Sequence, residues 1–353
     1  MSKPTKRFAS RPEWVGLGVM VLLAVGVVAL AAEWVTGATA IGLLAVLIVA
    51  VVAIIWTAIM GGLETRRALA PYGLLKPGIL WLSLFFLAPL WAMFEMSLSS
   101  KKSRFDFFPK FSWDWSNYGK ALTDFAPQFE RSFIYAAIAT LLTLIIGYPL
   151  AYVIAFRGGK YRTTLLGLVA VPFFTSYLIR TLAWQNLLAD SGPFVSILKT
   201  VKLENVMEWL HIMDNGRLIN TPAAVIGGLT YNFLPFMILP IYVSLEKIDV
   251  RLVDASMDLY TTATGAFRRV VLPLSMPGIF AGSLLVFIPA AGDFVNAKFL
   301  GSPETTMIGS SIQDQFLVQL NYPLAAAMSF VLMAVITASV LIYAKFMGTE
   351  DLA

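Results

Sequence analysis

The chain has 353 residues, of which 58% are hydrophobic and only 13% are charged, with a mean hydropathy of +0.76. About a quarter of the residues in ordinary soluble domains are charged, so this composition excludes that class and indicates an integral membrane protein. The complete absence of cysteine excludes disulfides and thiolate metal sites.

Eight apolar segments approach the roughly 20 residues that a membrane-spanning helix needs. They lack the period-two alternation of strands, so each is expected to satisfy its backbone as a helix. The first has no small-residue cleavage site after it and is interpreted as an anchor. The sequence thus predicts an all-α protein with spans near residues 14–32, 39–60, 77–97, 132–156, 163–185, 219–243, 275–298 and 323–346.

Basic residues in the loops between these segments predict the orientation. With eight spans, four groups of lysine and arginine fall on one side, which the positive-inside rule assigns to the cytoplasm together with both termini. The net charge of +5 is therefore explained by topology and membrane lipid, without a nucleic-acid partner. The four groups are Lys3, Lys6, Arg7 and Arg11; Arg66, Arg67 and Lys76; Arg157, Lys160 and Arg162; and Lys247, Arg251, Arg268 and Arg269.

A glycine-, proline- and arginine-containing stretch separates two parts of the chain. Residues 1–60 form a predicted cytoplasmic tail with two accessory helices, and residues 61–76 form a cytoplasmic linker. Residues 77–353 form a six-helix core that contains a polar loop at 245–274. We interpret the first two helices as an accessory anchor.

The polar loop at 245–274, called the coupling loop below, has a helical pattern. An apolar stripe at Leu245, Ile248, Leu252, Ala255 and Leu259 predicts a short surface helix. A second helical turn is expected to carry Arg268 and Arg269 and to end at Pro273 and Pro277. An amphipathic loop resting on the lipid surface is the alternative interpretation of this pattern.

This loop resembles the signature loop of permease subunits of ATP-binding-cassette importers. Asp254, Ala255 and Ser256 match its Glu-Ala-Ala triplet, and Val270, Leu272 and Pro273 match its Ile-x-Leu-Pro end. Tyr260 occupies the family glycine position, so we expect the turn to form elsewhere, at Gly265. The resemblance implies docking to an ATPase subunit through a set that comprises Asp254, Ala255, Ser256, Asp258, Leu259, Tyr260, Gly265, Arg268 and Pro273.

Three ionisable residues lie in or at the edge of the apolar core segments: Glu95, Arg180 and Asp293. A charge at membrane depth is costly and usually faces a partner or a cavity. Two interpretations remain open. These residues line a substrate path, or they form structural contacts, in which Arg180 or the nearby Lys298 neutralises Asp293.

Three blocks resemble the spermidine/putrescine branch of the importer permeases: PFFTSYLIRTLAW from Pro172, residues 220–249, and residues 291–316. The chain departs from that branch at Asn296, Ala297 and Lys298, where the branch commonly has Thr-Pro-Ala. The resemblance implies a six-helix type I importer core and a polyamine substrate. Carboxylates and aromatic rings suit a polycation, and the candidate path residues are Glu95, Tyr177, Arg180, Trp184, Tyr231 and Asp293.

An enzymatic function has little support in the sequence. The single histidine, His211, lies in a loop, and no phosphate-binding GxxxxGK[ST] pattern occurs. No cofactor is expected on this chain. The resemblance implies that ATP and Mg bind partner ATPase subunits, and that a second permease subunit and an extracytoplasmic binding protein complete a bacterial cytoplasmic-membrane importer. The alternatives are an importer for a metal cation, oxyanion or small organic molecule, and an ion-coupled secondary transporter.

Overall fold

The computed structural model describes residues 78, 81–101, 109–201, 207–208, 212–214, 216–258 and 262–347. The predicted tail, the two accessory helices and the linker lie outside these residues, as do Leu259, Tyr260 and His211. The chain divides into two compact units, Met1–Met93 and Phe94–Ala353. The elements below are given in chain order.

The first half of the described chain is almost entirely helical. A π-helix at Ser83–Leu87 continues into α1. Two antiparallel strands of two residues each (β1, β2) form the one sheet in the described residues. Short 3₁₀ turns lie at Gly159–Tyr161 and Val171–Phe174. The elements are α1 (Ala88–Ser97), β1 (Ser99–Ser100), β2 (Lys110–Phe111), α2 (Ser116–Asp124), α3 (Ala126–Arg157), α4 (Arg162–Ala170), α5 (Tyr177–Leu188) and α6 (Pro193–Thr200).

The second half contains the coupling loop and three long helices. A π-helix at Phe267–Val271 joins α9 to α10, and a 3₁₀ turn lies at Pro303–Thr305. The elements are α7 (Pro222–Glu246), α8 (Val250–Asp258), α9 (Ala263–Ala266), α10 (Leu272–Ala291), α11 (Val295–Leu300), α12 (Ile308–Leu317) and α13 (Tyr322–Met347).

Four helical stretches in the described residues are long and apolar enough to cross a membrane. They are Ala126–Arg157, Pro222–Glu246, Ala263–Ala291 and Tyr322–Lys345. A fifth span is possible where Gly159–Phe174 and Tyr177–Thr200 pass the same test together, bent by 93°. These stretches coincide with five of the predicted segments, and the shorter apolar helix Ser83–Ser97 falls in a sixth.

Helix α7 occupies the centre of the hydrophobic core and packs against both α3 and α10. Glycines allow the close approach. A Cβ on Gly278 would lie 2.6 Å from the Pro240 carbonyl oxygen, and one on Gly282 would lie 2.9 Å from the Met237 sulfur. Both glycines of α10 therefore face α7, and their spacing of four residues is typical of closely packed membrane helices.

The expectation that Pro273 and Pro277 end the second helical turn of the coupling loop is wrong. The helix runs without interruption from Ala263 to Ala291, through both prolines. The π-helix Phe267–Val271 comes directly before Pro273, and the Leu272 N–H donates to the Phe267 carbonyl. This wider turn accommodates the proline ring, which would clash with a carbonyl one regular turn earlier.

Two predicted spans are interrupted rather than straight. The segment 163–185 changes direction at Thr175 and Ser176, which are extended and follow the 3₁₀ turn that begins beside Pro172. The segment 275–298 ends as a helix at Ala291 and resumes as α11 at Val295. Both breaks expose backbone polar groups, so polar side chains are expected beside them.

Candidate functional site

A buried polar cluster lies beside these two breaks. It is formed by Tyr177 and Thr181 of α5, Asn232 of α7, Asp293 in the break after α10, and Asn296 of α11. Asn296 is 0% exposed, Asn232 1% and Asp293 7%. Because buried polar groups are costly unless they are hydrogen-bonded, their mutual contacts decide the geometry of this region.

Asp293 accepts hydrogen bonds on both carboxylate oxygens. Its Oδ2 accepts from the Tyr177 hydroxyl, and its Oδ1 accepts from the Asn296 backbone N–H at 2.7 Å. The second bond caps the start of α11 in the manner of a helix N-cap. Asp293 therefore connects α5 to the break between α10 and α11.

Asn296 and Asn232 extend the network to α7. The Asn296 Nδ2 donates to the Tyr177 hydroxyl at 2.6 Å, and the Asn232 Nδ2 donates to the Asn296 Oδ1 at 3.1 Å. Thr181 lies against both, and its Oγ1 accepts a longer hydrogen bond of 3.4 Å from the Asn232 Nδ2. Three helices are thus joined by side chains at one buried position.

Aromatic rings and one guanidinium lie on the same two helices, α5 and α7, as members of the polar cluster. Trp184 packs edge-on against Tyr231, with ring centroids 5.3 Å apart. The Arg180 guanidinium carbon lies 5.7 Å from the centroid of the Tyr177 ring. The Nε and Nη1 atoms of Arg180 are buried and have no hydrogen-bond partner among the described residues. The region therefore has aromatic faces, one carboxylate and one guanidinium whose buried donors are unsatisfied.

The structure places Tyr177 against both Asp293 and Arg180, and Trp184 of the same helix against Tyr231, but Glu95 contacts none of these residues. The Glu95 carbonyl accepts from Ser99 Oγ and from the Leu98 N–H, both close in sequence. Glu95 is half-buried at the end of α1. Its assignment to the substrate path therefore rests on sequence alone.

The ion pairs considered for Asp293 do not form within the described residues. Lys298 instead lies 3.9 Å from Asp314 and donates to the Gln313 side chain at 3.2 Å. Arg180 forms no ion pair within 4.0 Å of a described carboxylate. Asp293 is satisfied by neutral donors, and no described cation pairs with it. The same residues contain no cluster of metal-ligating side chains.

Thr181, Asn232 and Asn296 were missed as site residues by sequence reasoning that considered ionisable groups. The available signal was the position of Asn232 within the apolar run YNFLPFMILP and of Asn296 close after Asp293. An amide inside a spanning segment must find a polar partner, as a charge must. Its partner could not be identified from sequence, because the contact depends on the break before α11.

The first helix of the coupling loop, α8, has no buried residue. Asp254, Ala255 and Asp258 are exposed, as are Leu252 at 54% and Met257 at 43%. The predicted apolar stripe is therefore only partly right. Leu245 and Ile248 are buried, but beyond them the side chain that packs against the core is Val253, which leaves Leu252 and Ala255 uncovered.

The second helix of the coupling loop begins at a capped threonine. The Thr262 hydroxyl accepts from the Gly265 N–H at 3.2 Å, as an N-cap does. Gly265 has a helical backbone inside α9, so the expectation that it forms the turn is wrong. Arg268 and Arg269 follow as exposed residues.

An ion pair fixes the point where α7 leads into the coupling loop. Arg162, at the start of α4, pairs with Glu246 at the end of α7 and donates to the Tyr242 hydroxyl. The guanidinium also lies 5.0 Å from the Tyr242 ring centroid. The loop therefore begins at a position that is held to a neighbouring helix, although its own first helix is exposed.

Comparison with known proteins identifies the family. Residues 143–347 match the family described as binding-protein-dependent transport system inner membrane component. A spermidine/putrescine transport system permease protein PotB of Haemophilus influenzae is 38% identical over 264 residues, which cover 74% of this chain and 89% of that protein. The PotB protein of Escherichia coli K12 is 40% identical over 209 residues, or 59% of this chain and 73% of that protein.

A more distant relative and a solved structure agree with this assignment. A sulfate transport system permease protein CysT of Salmonella typhimurium is 25% identical over 78% of this chain and 92% of its own length. A chain of a bacterial ABC transporter that imports alginate aligns with a TM-score of 0.59 at 16% identity, over 80% of this chain and 96% of that one. The chain is thus a multi-pass membrane protein that belongs to the family of binding-protein-dependent transport system inner membrane components, the permease subunits of ATP-binding-cassette importers.

Proposed function

We propose that this chain is the permease subunit of a polyamine importer and that the polar cluster with its aromatic neighbours lies on the substrate path. The observation that carries the proposal is Asp293, a buried carboxylate whose described hydrogen-bond donors are all neutral. An uncompensated buried anion attracts a cation strongly. The sequence identity of 37 to 40% to permeases named for spermidine and putrescine supports the same substrate class.

The aromatic pair beside the cluster suits the same substrate. The faces of Trp184 and Tyr231 offer cation-π contacts to an ammonium group, and Tyr177 lies next to Asp293. A polyamine that enters this region would exchange its hydration for one carboxylate and several rings. Glu95 is proposed for the same path, at the end of α1.

The chain has eight spans in this proposal, two accessory and six in the core, with both termini in the cytoplasm. It assembles in the bacterial cytoplasmic membrane with a second permease subunit, ATPase subunits and an extracytoplasmic binding protein. The permease is non-catalytic, and ATP with Mg is bound and hydrolysed by the partner ATPase. The solved alginate transporter in complex with a periplasmic protein supports this plan of assembly.

The coupling loop is proposed to transmit motion from the ATPase. The exposed α8 supports this role, because its apolar residues Leu252, Ala255 and Met257 are each left exposed by the described part of this chain. Asp254, Ser256, Asp258, Arg268 and Pro273 belong to the same loop. Leu259, Tyr260 and Gly265 complete the proposed docking set.

An oxyanion is the second candidate substrate. The two unsatisfied donors of Arg180 favour it, and a sulfate permease is among the relatives. A guanidinium binds sulfate or phosphate through paired donors. Asp293 argues against this candidate, since it would repel an anion in the same region.

Uptake measurements separate the two candidates. Bacteria without other polyamine uptake would carry the chain with its partner subunits and receive labelled putrescine or spermidine. We expect ATP-dependent uptake that unlabelled polyamines inhibit and excess sulfate does not. Uptake of labelled sulfate without uptake of either polyamine would contradict the proposed substrate.

The proposed orientation is tested by single cysteines in this cysteine-free chain. Cysteines at Lys160 and Thr262 should resist an impermeant thiol reagent added outside intact cells, and those at Lys120 and Ser302 should react. Lys120 is exposed, unlike the neighbouring Asn117, which is buried and bonded to Ser97 and Ser99. External labelling at Thr262 would overturn the orientation.

A further inference from the structure

The polar cluster contains a buried acceptor that the described residues do not satisfy. The Oδ1 atom of Asn232 has no hydrogen-bond partner among them, although the residue is only 1% exposed. Buried amide oxygens normally accept at least one hydrogen bond, and leaving one unsatisfied costs free energy. The orientation of the Asn232 amide therefore needs a physical reason.

The reason is a chain of hydrogen bonds with a fixed direction that starts at Asp293. The Tyr177 hydroxyl donates its single proton to the Asp293 Oδ2. The Tyr177 oxygen must then accept from the Asn296 Nδ2. This leaves the Asn296 Oδ1 as an acceptor for the Asn232 Nδ2.

The end of that chain is the unsatisfied Oδ1 of Asn232. A rotated Asn232 amide would place its oxygen against the Asn296 oxygen, and a rotated Asn296 would lose its bond to Tyr177. Asp293, as the acceptor at the start of this chain, thus determines through three hydrogen bonds that Asn232 presents an acceptor and not a donor. The Asn232 oxygen is therefore suited to a hydrogen-bond donor such as an ammonium group.

We propose that the Oδ1 atom of Asn232 accepts a hydrogen bond from a primary ammonium group of the transported substrate, and that Asn296 is the positioning residue that orients it. This assignment rests on the proposed polyamine function. A primary ammonium has three donors and no acceptor, so an unpartnered amide oxygen suits one of its N–H groups. An oxyanion could not bind here, because its lone pairs would face the lone pairs of Asn232.

The test compares putrescine with its hexamethylated analogue, in which both ends are trimethylammonium groups. Both carry the same charge, but only putrescine can donate hydrogen bonds. In cells with the whole importer, we expect the wild-type chain to take up putrescine at least about tenfold faster, the effect of one hydrogen bond to a charged group. Asn232→Leu should lower this ratio, chiefly by slowing putrescine.

Gln315 provides a matched control, because its buried side chain also has an unpartnered oxygen but belongs to α12, outside the polar cluster. Gln315→Leu should keep the wild-type ratio. Asn296→Leu should lower the ratio while uptake of the hexamethylated analogue persists, since a merely structural defect would reduce both substrates alike. Asn232→Ala repeats the first variant without added bulk, and the membrane level of each variant is measured in parallel.

Each outcome separates this inference from the proposed function. If the wild-type importer takes up putrescine without preferring it over the analogue, or if Asn232→Leu at normal membrane level keeps the preference, the inference is wrong and a bound water satisfies Asn232. If the wild-type importer takes up no polyamine, the proposed function fails and the inference fails with it. If Asn232→Leu and Asn232→Ala do not reach the membrane, Asn296→Leu decides, and an unchanged ratio in that variant overturns the inference.

Discussion

The coupling loop and the polar cluster differ in where their side chains find partners. In α8 every residue is at least partly exposed, including the apolar Leu252 and Met257. In the polar cluster the side chains are mostly buried and bond to one another across α5, α7 and α11. Apolar side chains that are exposed on a helix are available to pack against another protein. A buried polar network instead fixes the positions of its own helices.

The comparison predicts that a change in α8 affects coupling and leaves folding intact. Asp254→Lys reverses an exposed charge, and Ala255→Trp adds bulk to the exposed surface. We expect either change to abolish ATP-driven uptake while the amount of protein in the membrane stays normal. Uptake and membrane level are measured in the same cells, and this is the largest effect we predict.

Asp124→Lys is the matched control, because Asp124 is an exposed aspartate at the end of α2. It should leave uptake close to the wild-type rate. Wild-type uptake by both α8 variants would show that this loop is not the coupling element. A loss of membrane level in Asp254→Lys would mean that α8 stabilises its own chain, and the contrast with the polar cluster would disappear.

Asp293→Asn tests the other side of the comparison. The substitution removes one charge while nearly keeping the shape, so uptake of a polyamine should fall by roughly ten- to a hundredfold, as for the loss of a charged hydrogen bond of about 1.5 to 3 kcal/mol. Initial uptake rates over a range of substrate concentrations measure the change. Asp314→Asn is the control, since Asp314 is half exposed and lies near Lys298. Unchanged uptake by Asp293→Asn would remove Asp293 from the substrate path.

Close packing of α10 against α7 supports the polar cluster and predicts a smaller, purely structural effect. In Gly278→Ala the new Cβ would lie 2.5 Å from the Ser244 hydroxyl and 2.6 Å from the Pro240 carbonyl. The helices must separate, at a cost of about 1 to 3 kcal/mol in unfolding free energy. Thermal unfolding of the purified complex in detergent should show a lower midpoint.

Gly227 gives the opposite expectation on the same helix pair. A Cβ there meets nothing within 4 Å, so Gly227→Ala should preserve or raise the midpoint, because alanine favours the helix by up to about 1 kcal/mol. Equal midpoints for the two variants would show that α7 and α10 are less tightly packed than the glycine contacts indicate. In that case the cluster would not be held by this pair.

The long helices could be predicted from the sequence because apolar length alone determines them. Segment 323–346 matches α13 (Tyr322–Met347), and segment 219–243 matches α7 within a few residues. The breaks at Thr175 and after Ala291 could not be predicted, since each lies inside a segment whose apolar character continues on both sides of it. The polar cluster depends on those breaks, so Asp293 was recognised as a candidate while its partners Tyr177 and Asn296 were not paired with it.

The coupling loop shows the same limit in another form. Its residue order was enough to recognise the family, but its apolar stripe did not predict which side chains pack. A helix that will be covered by a partner has an apolar surface directed outward, so a periodic pattern cannot separate Leu252, which is exposed, from Leu245, which is buried. The prolines likewise gave a wrong helix end, because a π-turn before Pro273 lets the helix continue.

The smallest predicted effect concerns Lys298, which the sequence offered as a partner for Asp293. In the structure its ammonium lies near Asp314 and Gln313, with about half of the side chain exposed. Exposed pairs of this kind contribute about 0 to 1 kcal/mol, so Lys298→Gln should change uptake and membrane level by less than about fivefold. The double variant Asp293→Asn with Lys298→Gln should transport as poorly as Asp293→Asn alone, because the two residues do not neutralise each other. Recovery of wild-type uptake in the double variant would establish the ion pair, and Asp293 would then be a structural residue that belongs with the packing of α10 and not with the substrate path.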